Sequence, residues 1–252
     1  MTPDRNISRR LLTLLMLLLT AGGILAQKTY VVCVGLNYYD NGERPLPCSD
    51  GDARGMAEFF DHYNGSEVFM LLNENATRNH ILRVLRSKLA KATPQDEVIF
   101  AYSGHGFDGG ISCYDTRNVV YCSEVQQLMR QSRAGRKIMF INSCHSGSFA
   151  KKYGRSAKAS AYKSTSSDVM LYLSSRANEY SWERTDMRMS FFFTRLISAL
   201  RGKADKNGDR LVTARELFNY VNAGVISDTQ GQQHPQMYGR FSDNMVVVRV
   251  KP

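Results

Sequence analysis

The chain has 252 residues, enough for one domain with a well-buried core. Hydrophobic residues make up 43% and charged residues 22% of it, which is ordinary for a folded soluble domain and excludes disorder throughout. The formal net charge of +10 would suit an anionic partner. However, the lysines and arginines are scattered without interleaved aromatic residues, so we expect a solvated basic surface and no nucleic-acid partner.

Residues 1–26 are predicted to be a secretory signal peptide. Three arginines precede an apolar run at residues 11–19, and small residues follow up to Ala26. The run is shorter than the about 20 residues that span a bilayer, although an uncleaved membrane anchor is the alternative. We therefore expect cleavage after Ala26, a single mature domain at residues 27–252 without stable membrane insertion, and a secreted or periplasmic location.

Short apolar runs alternate with segments of helical periodicity along the mature chain. The first predicted elements are a strand at 30–36, a helix at 53–63, a strand at 67–72, a helix from Thr77 and a strand at 97–102. These are followed by a hairpin at 111–121, a helix from Ser123, strands at 137–141 and 169–173, helices at 191–200 and 213–225, and a strand at 245–250. This order predicts an α/β domain with a mostly parallel sheet of roughly six strands, covered by helices on both faces.

Residues 148–167 interrupt the pattern. They are rich in Lys, Ser, Ala and Gly and are predicted to form an exposed loop, because they offer little apolar surface to bury. Five basic side chains in this stretch would suit cleavage by a trypsin-like specificity. A processing site and an uncut surface loop are both consistent with the sequence.

The chain contains five cysteines, so at least one thiol is free even if export permits disulfides. Cys113 and Cys122 flank the predicted hairpin, and a disulfide between them and two buried thiols are equally consistent with the sequence. The absence of a Cys-x-x-Cys motif or a His-rich cluster argues against a zinc site and against a thiol-redox protein.

Two polar, glycine-flanked segments follow predicted strands, at residues 103–106 and 142–147. In open α/β sheets, active sites form at the carboxyl ends of strands, so His105 and Cys144 are expected to meet there. A thiolate is a strong nucleophile, and a neighbouring imidazole can activate it and later protonate the leaving amine. Gly106 and the Cys144 amide are expected to donate hydrogen bonds to a developing oxyanion.

Tyr-Ser-Gly-His-Gly at 102–106 and Asn-Ser-Cys-His-Ser-Gly at 142–147 resemble the two signature motifs of the metacaspases and their bacterial relatives. The likeness covers roughly residues 29–250. It implies a caspase-like three-layer α-β-α sandwich that hydrolyses protein or peptide substrates through an acyl-enzyme. It also implies a dyad of His105 and Cys144 without a third carboxylate, and no required cofactor.

The resemblance further implies a substrate-binding pocket formed by Asp52, Ser103, Asn142 and Glu183. Metacaspases prefer Arg or Lys before the scissile bond, and the family's Asp two residues before the nucleophile is Asn142 here, an amide that still accepts hydrogen bonds. Glu183 stands where caspases carry an Arg after Ser-Trp, and this reversed charge favours a basic substrate residue. The alternatives are a helix cap for Asp52 and a turn hydrogen bond for Asn142.

One acidic segment matches the oxygen-ligand spacing of an EF-hand calcium loop. The matching positions are Asp205, Asn207, Asp209, Leu211, Thr213 and Glu216. Arg210 departs from the pattern because the sharp turn at that position normally requires Gly. Calcium binding and an Asp/Asn-rich turn that caps the following helix are both consistent with the segment.

Three other functions are alternatives to the exported peptidase. One is a related thiol peptidase with a different side-chain preference. Another is a non-catalytic caspase fold that serves as a binding or regulatory module; such proteins usually lose the Cys or the His, and both are present here. The third, an exported thiol-redox protein, is disfavoured because Cys144 lacks a Cys-x-x-Cys partner.

Overall fold

A six-stranded sheet lies at the centre of the computed structural model. The strands of the described residues are β1 (Thr29–Gly35), β2 (Ser66–Leu72), β3 (Glu97–Ser103), β4 (Gly106–Phe107), β5 (Gly110–Ser112), β6 (Val119–Tyr121), β7 (Arg136–Asn142), β8 (Asp168–Leu173), β9 (Leu211–Thr213), β10 (Gln236–Arg240) and β11 (Val246–Arg249). The central sheet has the order β10-β8-β7-β3-β1-β2. Its strand pairs are parallel except for β10 with β8, which confirms the predicted mostly parallel sheet.

Two small antiparallel sheets accompany the central one. Strands β4, β5 and β6 form the predicted hairpin region. The apolar segment predicted as a strand at 245–250 is β11, but it pairs with β9 outside the central sheet. The sixth central strand is β10, which the sequence pattern did not indicate because it is a half-exposed edge strand with few apolar residues.

Five α-helices connect the strands in the described part of the chain. They are α1 (Ser49–Asp61), α2 (Arg78–Lys91), α3 (Cys122–Gln131), α4 (Phe191–Ser198) and α5 (Ala214–Asp228). A 3-10 turn at Asn73–Asn75 precedes α2, and a π-helical segment at Ala199–Lys203 continues α4. Thr77 caps α2 by accepting a hydrogen bond from the His80 amide, as expected for the start of that helix.

The two faces of the central sheet bury different apolar layers, because successive side chains of a strand point to opposite faces. In β1, Val32 and Val34 join one buried cluster, whereas Val31 and Cys33 join the other. Helices α2 and α3 pack on the first face, and α1, α4 and α5 pack on the second. The result is the expected three-layer α-β-α sandwich.

None of the five cysteines forms a disulfide bond. Cys113 and Cys122 are buried in the apolar layer beneath α2 and α3, which agrees with buried thiols rather than a disulfide. Cys144 is the one cysteine that is not fully buried. Its position at the surface of the cavity described below leaves it available for chemistry.

The structure describes residues 27–63, 65–144, 146–147, 168–183 and 188–250. The predicted signal peptide at 1–26 and the predicted loop at 148–167 lie outside these residues. None of the helices within them is long and apolar enough to cross a membrane.

Candidate active site

Strand register brings His105 and Cys144 to the same place. Ser103 at the end of β3 pairs with Asn142 at the end of β7, and these strands are neighbours in the central sheet. His105 and Cys144 each follow two residues later, so both emerge at the same carboxyl edge. Both side chains line one cavity of about 20 Å³, room for about one water molecule. The predicted pair is therefore brought together.

The imidazole of His105 is held from three sides. The backbone N–H of His105 donates a hydrogen bond to the Tyr39 hydroxyl at 2.7 Å. The backbone carbonyl of His105 accepts one from the Tyr102 hydroxyl at 2.7 Å. The ring lies 5.0 Å from the Tyr39 ring, between centroids. Nε2 lies 2.7 Å from the carbonyl oxygen of Arg44. A carbonyl can only accept a hydrogen bond, so Nε2 carries the hydrogen and Nδ1 of the neutral ring is the basic nitrogen. The partner that orients the ring is a backbone carbonyl, consistent with a dyad that has no carboxylate third member.

Two residues in this arrangement, Tyr39 and Arg44, were not found by sequence reasoning. Tyr39 follows the end of β1, so the rule that sites form at strand ends would have included it. Arg44 contributes only its backbone carbonyl, and any residue type could supply that group. No sequence signal marks such a role.

Serine hydroxyl groups hold the turn that carries Cys144. The Ser143 carbonyl accepts from the Ser181 hydroxyl at 2.9 Å and from the Ser175 hydroxyl at 3.4 Å. The Ser146 hydroxyl donates to the Ser175 carbonyl at 3.2 Å. The segment after β8 therefore holds the turn that carries Cys144. This segment lies on the side of β7 opposite to β3, the strand that precedes His105.

Gly106 lies against the nucleophile turn. A Cβ atom at this position would lie 2.5 Å from the Ser143 hydroxyl oxygen and 2.8 Å from the Cys144 carbonyl oxygen. Any side chain would therefore push the two segments apart, which explains why glycine is needed here. The predicted oxyanion donors, the amides of Gly106 and Cys144, belong to backbone segments in close contact.

Three of the predicted substrate-binding residues form one buried network. Oδ2 of Asp52 accepts from the Ser103 hydroxyl at 2.7 Å and from the Asn142 side-chain amide at 3.1 Å. Oδ1 accepts from the Ser190 backbone N–H at 2.8 Å. Asp52 and Ser103 are 0% and 1% exposed and lie behind the cavity wall, whereas Asn142 lines the cavity.

The alternative that Asp52 caps a helix is wrong. Helix α1 begins at Ser49, four residues earlier than predicted, and its N-cap residue is Cys48, whose side chain makes no capping hydrogen bond. Asp52 thus lies in the first helical turn, where a carboxylate is favoured by the helix dipole but does not cap. Asn142 likewise makes its side-chain hydrogen bonds to Asp52 of α1 and to Ser103 of β3 rather than within a turn.

Burial raises the pKa of Asp52 to about 7, although hydrogen bonds from Ser103, the Ser190 backbone and Asn142 act in the opposite direction. The folded-state pKa lies above the unfolded value of about 4, so the folded protein binds this proton more tightly than the unfolded chain does. The free energy of unfolding contributed by Asp52 should therefore fall as pH rises from about 4 to about 7. Burial also raises the pKa of Glu97 to about 6. The stability contribution of Glu97 should therefore also fall as the pH rises.

The Asp52→Asn substitution should remove the part of the pH dependence of stability that Asp52 contributes. We expect the wild-type free energy of unfolding, minus that of Asp52→Asn, to be larger at pH 5 than at pH 8 by about 1 kcal/mol or more. Urea unfolding of both proteins at the two pH values measures the difference. Equal differences at pH 5 and pH 8 would show that Asp52 titrates alike in the folded and unfolded states.

Glu183, the fourth predicted substrate-binding residue, lines the cavity together with His105, Asn142 and Cys144. It is half-buried. Burial raises its pKa to about 6, while a hydrogen bond with the Cys48 backbone and the positive charge of Arg44 act in the opposite direction. The structure thus places a carboxylate beside the nucleophile.

The proposed calcium loop keeps its acidic side chains turned towards its own backbone. Asp205 accepts from the Gly208 and Arg210 amides, and Glu216 completes a capping box with Thr213 at the start of α5. Arg210 adopts the left-handed conformation (φ 63°) that the loop pattern reserves for Gly. Within the described ranges, no group of three or more His, Cys, Asp or Glu side chains is placed to hold a metal ion. The helix-capping role is observed, and calcium binding stays a prediction.

A larger cavity of about 370 Å³ lies at the other end of α1, lined in part by Phe59, Tyr63 and Arg249. It contains neither His105 nor Cys144. Size alone therefore does not identify the site, and the smaller cavity is the one with the reactive side chains.

Comparison with known families agrees with this geometry. Residues 28–246 match the caspase domain. The chain belongs to the caspase domain family. His105 and Cys144 both lie within the matched region, as do the residues of the Asp52 network and Glu183.

Similar proteins include a metacaspase and a caspase. Metacaspase-1 of Scheffersomyces stipitis is 29% identical over 142 residues, an alignment that covers 45% of this chain and 34% of the relative. The chain thus spans about a third of the length of the curated relative it matches. Caspase-1 from Spodoptera frugiperda has a TM-score of 0.67 and 15% identity, covering 89% of this chain and 90% of that chain. A protein from Geobacter sulfurreducens has a TM-score of 0.61 and 16% identity, covering 88% and 100%. These two structures show the caspase fold.

Proposed function

We propose that this caspase-family chain is an exported cysteine endopeptidase that hydrolyses peptide bonds after Arg or Lys through Cys144 and His105. The observation that carries the proposal is that both side chains line one cavity at the carboxyl edge of the central sheet. Membership of the caspase domain family supports cysteine-type endopeptidase activity and protein substrates in general.

In the proposed mechanism, the Cys144 sulfur attacks the carbonyl carbon of the scissile bond. Nδ1 of His105 takes the thiol proton and delivers it to the leaving amine as the C–N bond breaks, which leaves an acyl-enzyme thioester. A water molecule, deprotonated by the same imidazole, then attacks the thioester and releases the second product and the thiol. The Arg44 carbonyl keeps the imidazole oriented through both steps.

The negative oxygen of each tetrahedral intermediate needs donors in a fixed place. The backbone amides of Gly106 and Cys144 are the proposed donors, because the two segments that carry them lie in contact. The hydroxyl groups of Ser175 and Ser181 stabilise this arrangement from behind by holding the Ser143 carbonyl.

A basic substrate residue is supported by the charges around the cavity. Glu183 lines it, and Asp52 lies directly behind Asn142. The carboxylate of Glu183 would repel an acidic substrate residue in this cavity. A basic one would meet acceptors, so Arg or Lys before the scissile bond is the proposed specificity.

Hydrolysis of a fluorogenic peptide panel tests the proposal. Peptides that differ only in ending with Arg, Lys or Asp are incubated with the purified protein, with calcium or with a chelator. Cleavage after Arg and Lys but not Asp is expected. If the folded protein cleaves no peptide, the result would support a non-catalytic binding module instead. Cleavage of the Asp peptide alone would contradict the proposed specificity for Arg or Lys.

Export is proposed from the sequence of residues 1–26. Protein recovered from the periplasm or the culture medium should begin at Gln27, and its intact mass gives the site of cleavage. Recovery of the full-length chain in the membrane fraction would instead support an uncleaved anchor.

Calcium binding at residues 205–216 is a separate prediction. If calcium binds there, it should raise the melting temperature of the wild type, and Asp205→Ala and Glu216→Ala should each abolish that rise. Asp61→Ala, which changes an exposed acidic residue at the end of α1, is the control. An unchanged wild-type melting temperature in millimolar calcium would leave these residues with the helix-capping role alone.

A further inference from the structure

The peptide bond between Ser143 and Cys144 carries one of the proposed oxyanion donors, the Cys144 N–H. This peptide is trans, so its C=O and N–H lie in one plane and point in opposite directions. A group that holds the Ser143 carbonyl therefore also fixes the direction of the Cys144 N–H. That direction decides whether the donor meets the negative oxygen of a tetrahedral intermediate.

The Ser181 hydroxyl is the main group that holds this carbonyl. It donates to the Ser143 oxygen at 2.9 Å. The Ser175 hydroxyl lies 3.4 Å from the same oxygen and 3.3 Å from the Glu179 carbonyl, and its single hydrogen is shared between these two acceptors. The Ser174 and Ser181 hydroxyl groups are hydrogen-bonded to each other. Because Ser181 gives its hydrogen to the carbonyl, Ser174 is the donor of that pair.

Gln233 ties together the two residues that place the Ser181 hydroxyl. Its Oε1 accepts from the Trp182 backbone N–H at 2.9 Å, and its Nε2 donates to the Ser174 carbonyl at 2.8 Å. An N–H only donates and a carbonyl only accepts, so these partners determine which end of the amide is the oxygen. Trp182 follows Ser181 in the chain, and the Ser174 hydroxyl donates to Ser181. One side chain thus holds Ser181 from two sides.

Gln233 is itself firmly held and has no direct access to substrate. It is 0% exposed and does not line the cavity. Its backbone N–H donates to the Thr229 hydroxyl at 3.1 Å, and that hydroxyl donates to the Val225 carbonyl of α5 at 2.8 Å. Gln233 therefore connects the end of α5 to the segment beside the nucleophile, and it can affect the chemistry only through the residues that it holds.

We infer that Gln233 is a positioning residue for the oxyanion hole and acts through Ser181 on the peptide between Ser143 and Cys144. This inference rests on the proposed peptidase function. As the Cys144 sulfur adds to the substrate carbonyl, negative charge develops on the carbonyl oxygen, and a donor that already points there needs no reorganisation. The Ser181 hydrogen bond also polarises the peptide and strengthens its N–H as a donor.

Steady-state hydrolysis of an arginine peptide by Ser181→Ala, Gln233→Met and the double variant tests the inference. Methionine has nearly the length of glutamine but makes none of its amide hydrogen bonds. Each single substitution should lower kcat at least about tenfold and keep KM within about threefold, because the oxyanion exists only after attack. If Gln233 acts through Ser181, the double variant should be at most about threefold slower than the slower single variant.

Alkylation by iodoacetamide separates this role from general packing of the turn. The thiolate displaces iodide in that reaction, and no oxyanion forms. The rate of Cys144 alkylation, followed by mass spectrometry of proteolytic fragments, should therefore stay within about threefold of the wild type in all three variants. Ser181→Thr, which keeps a hydroxyl, should retain most of kcat. Gln232→Met, at the exposed neighbouring position, is the matched control and should leave kcat unchanged.

The outcomes that would overturn the inference are distinct. Ser181→Ala with wild-type kcat would overturn it and leave the peptidase function intact, and this variant decides the test even if urea unfolding shows that Gln233→Met is not folded. Alkylation that slows as much as kcat would assign Gln233 to packing alone. A double variant slowed by the product of the two single effects would show that Gln233 does not act through Ser181. A wild type that is alkylated at Cys144 but cleaves no peptide would overturn the peptidase function as well.

Discussion

Cys144→Ala is expected to lower kcat/KM for an arginine peptide by at least about 10⁴-fold. Alanine removes the sulfur that forms the acyl-enzyme, and the remaining groups only bind and polarise the substrate. The free energy of unfolding should change little, because the Cys144 side chain is only half-buried. Steady-state hydrolysis measured beside urea unfolding separates lost chemistry from lost folding.

Cys122→Ala is the matched control. This thiol is 6% exposed at the start of α3 and packs in the layer beneath α2 and α3. It should retain activity within about threefold. Hydrolysis by Cys144→Ala at more than about a tenth of the wild-type rate would contradict the assignment of the nucleophile.

His105→Ala should lower kcat/KM by at least about 10³-fold at neutral pH, because the thiol then has no base to accept its proton and no acid to protonate the leaving amine. Residual activity should rise with pH, since free cysteine ionises near pH 8.5. The measurement is kcat/KM between pH 6 and pH 9.5 for both proteins. A variant that merely disturbed packing would lose activity equally at every pH.

His80→Ala provides the matched control for the histidine. His80 lies in the first turn of α2, far along the chain from the site, and its side chain takes no part in the cavity. Activity should stay within about threefold of the wild type. If His105→Ala were no worse than His80→Ala, the dyad would be wrong.

The sequence predicted the parts of the fold that depend on local apolar pattern. Strands β1, β3 and β7 are almost fully buried runs, and each was recognisable for that reason. Because parallel strands end at the same edge of the sheet, the sequence alone predicts that His105 and Cys144 lie together. The pairing of Ser103 with Asn142 is the register that this argument required.

The remaining features have no local signal. Strand β10 is polar and only half-buried, so its place at the sheet edge comes from pairing with β8 and not from its own pattern. Asp52 contacts Ser190, 138 residues away, and a hydrogen bond over that distance leaves no periodicity. For the same reason, the sequence predicted a substrate-binding role for both Asp52 and Glu183. It did not predict that, of these two, Glu183 lines the cavity and Asp52 does not.

Covalent labelling tests the central claim most directly, that Cys144 is a nucleophile activated by His105 in a pocket for arginine. The folded protein is incubated with a peptidyl-arginine acyloxymethyl ketone, and the adduct is located by mass spectrometry of proteolytic fragments. A single adduct on Cys144 is predicted, absent from Cys144→Ala and at least about 100-fold slower to form in His105→Ala. Labelling of another cysteine, or equal rates in wild type and His105→Ala, would contradict the account.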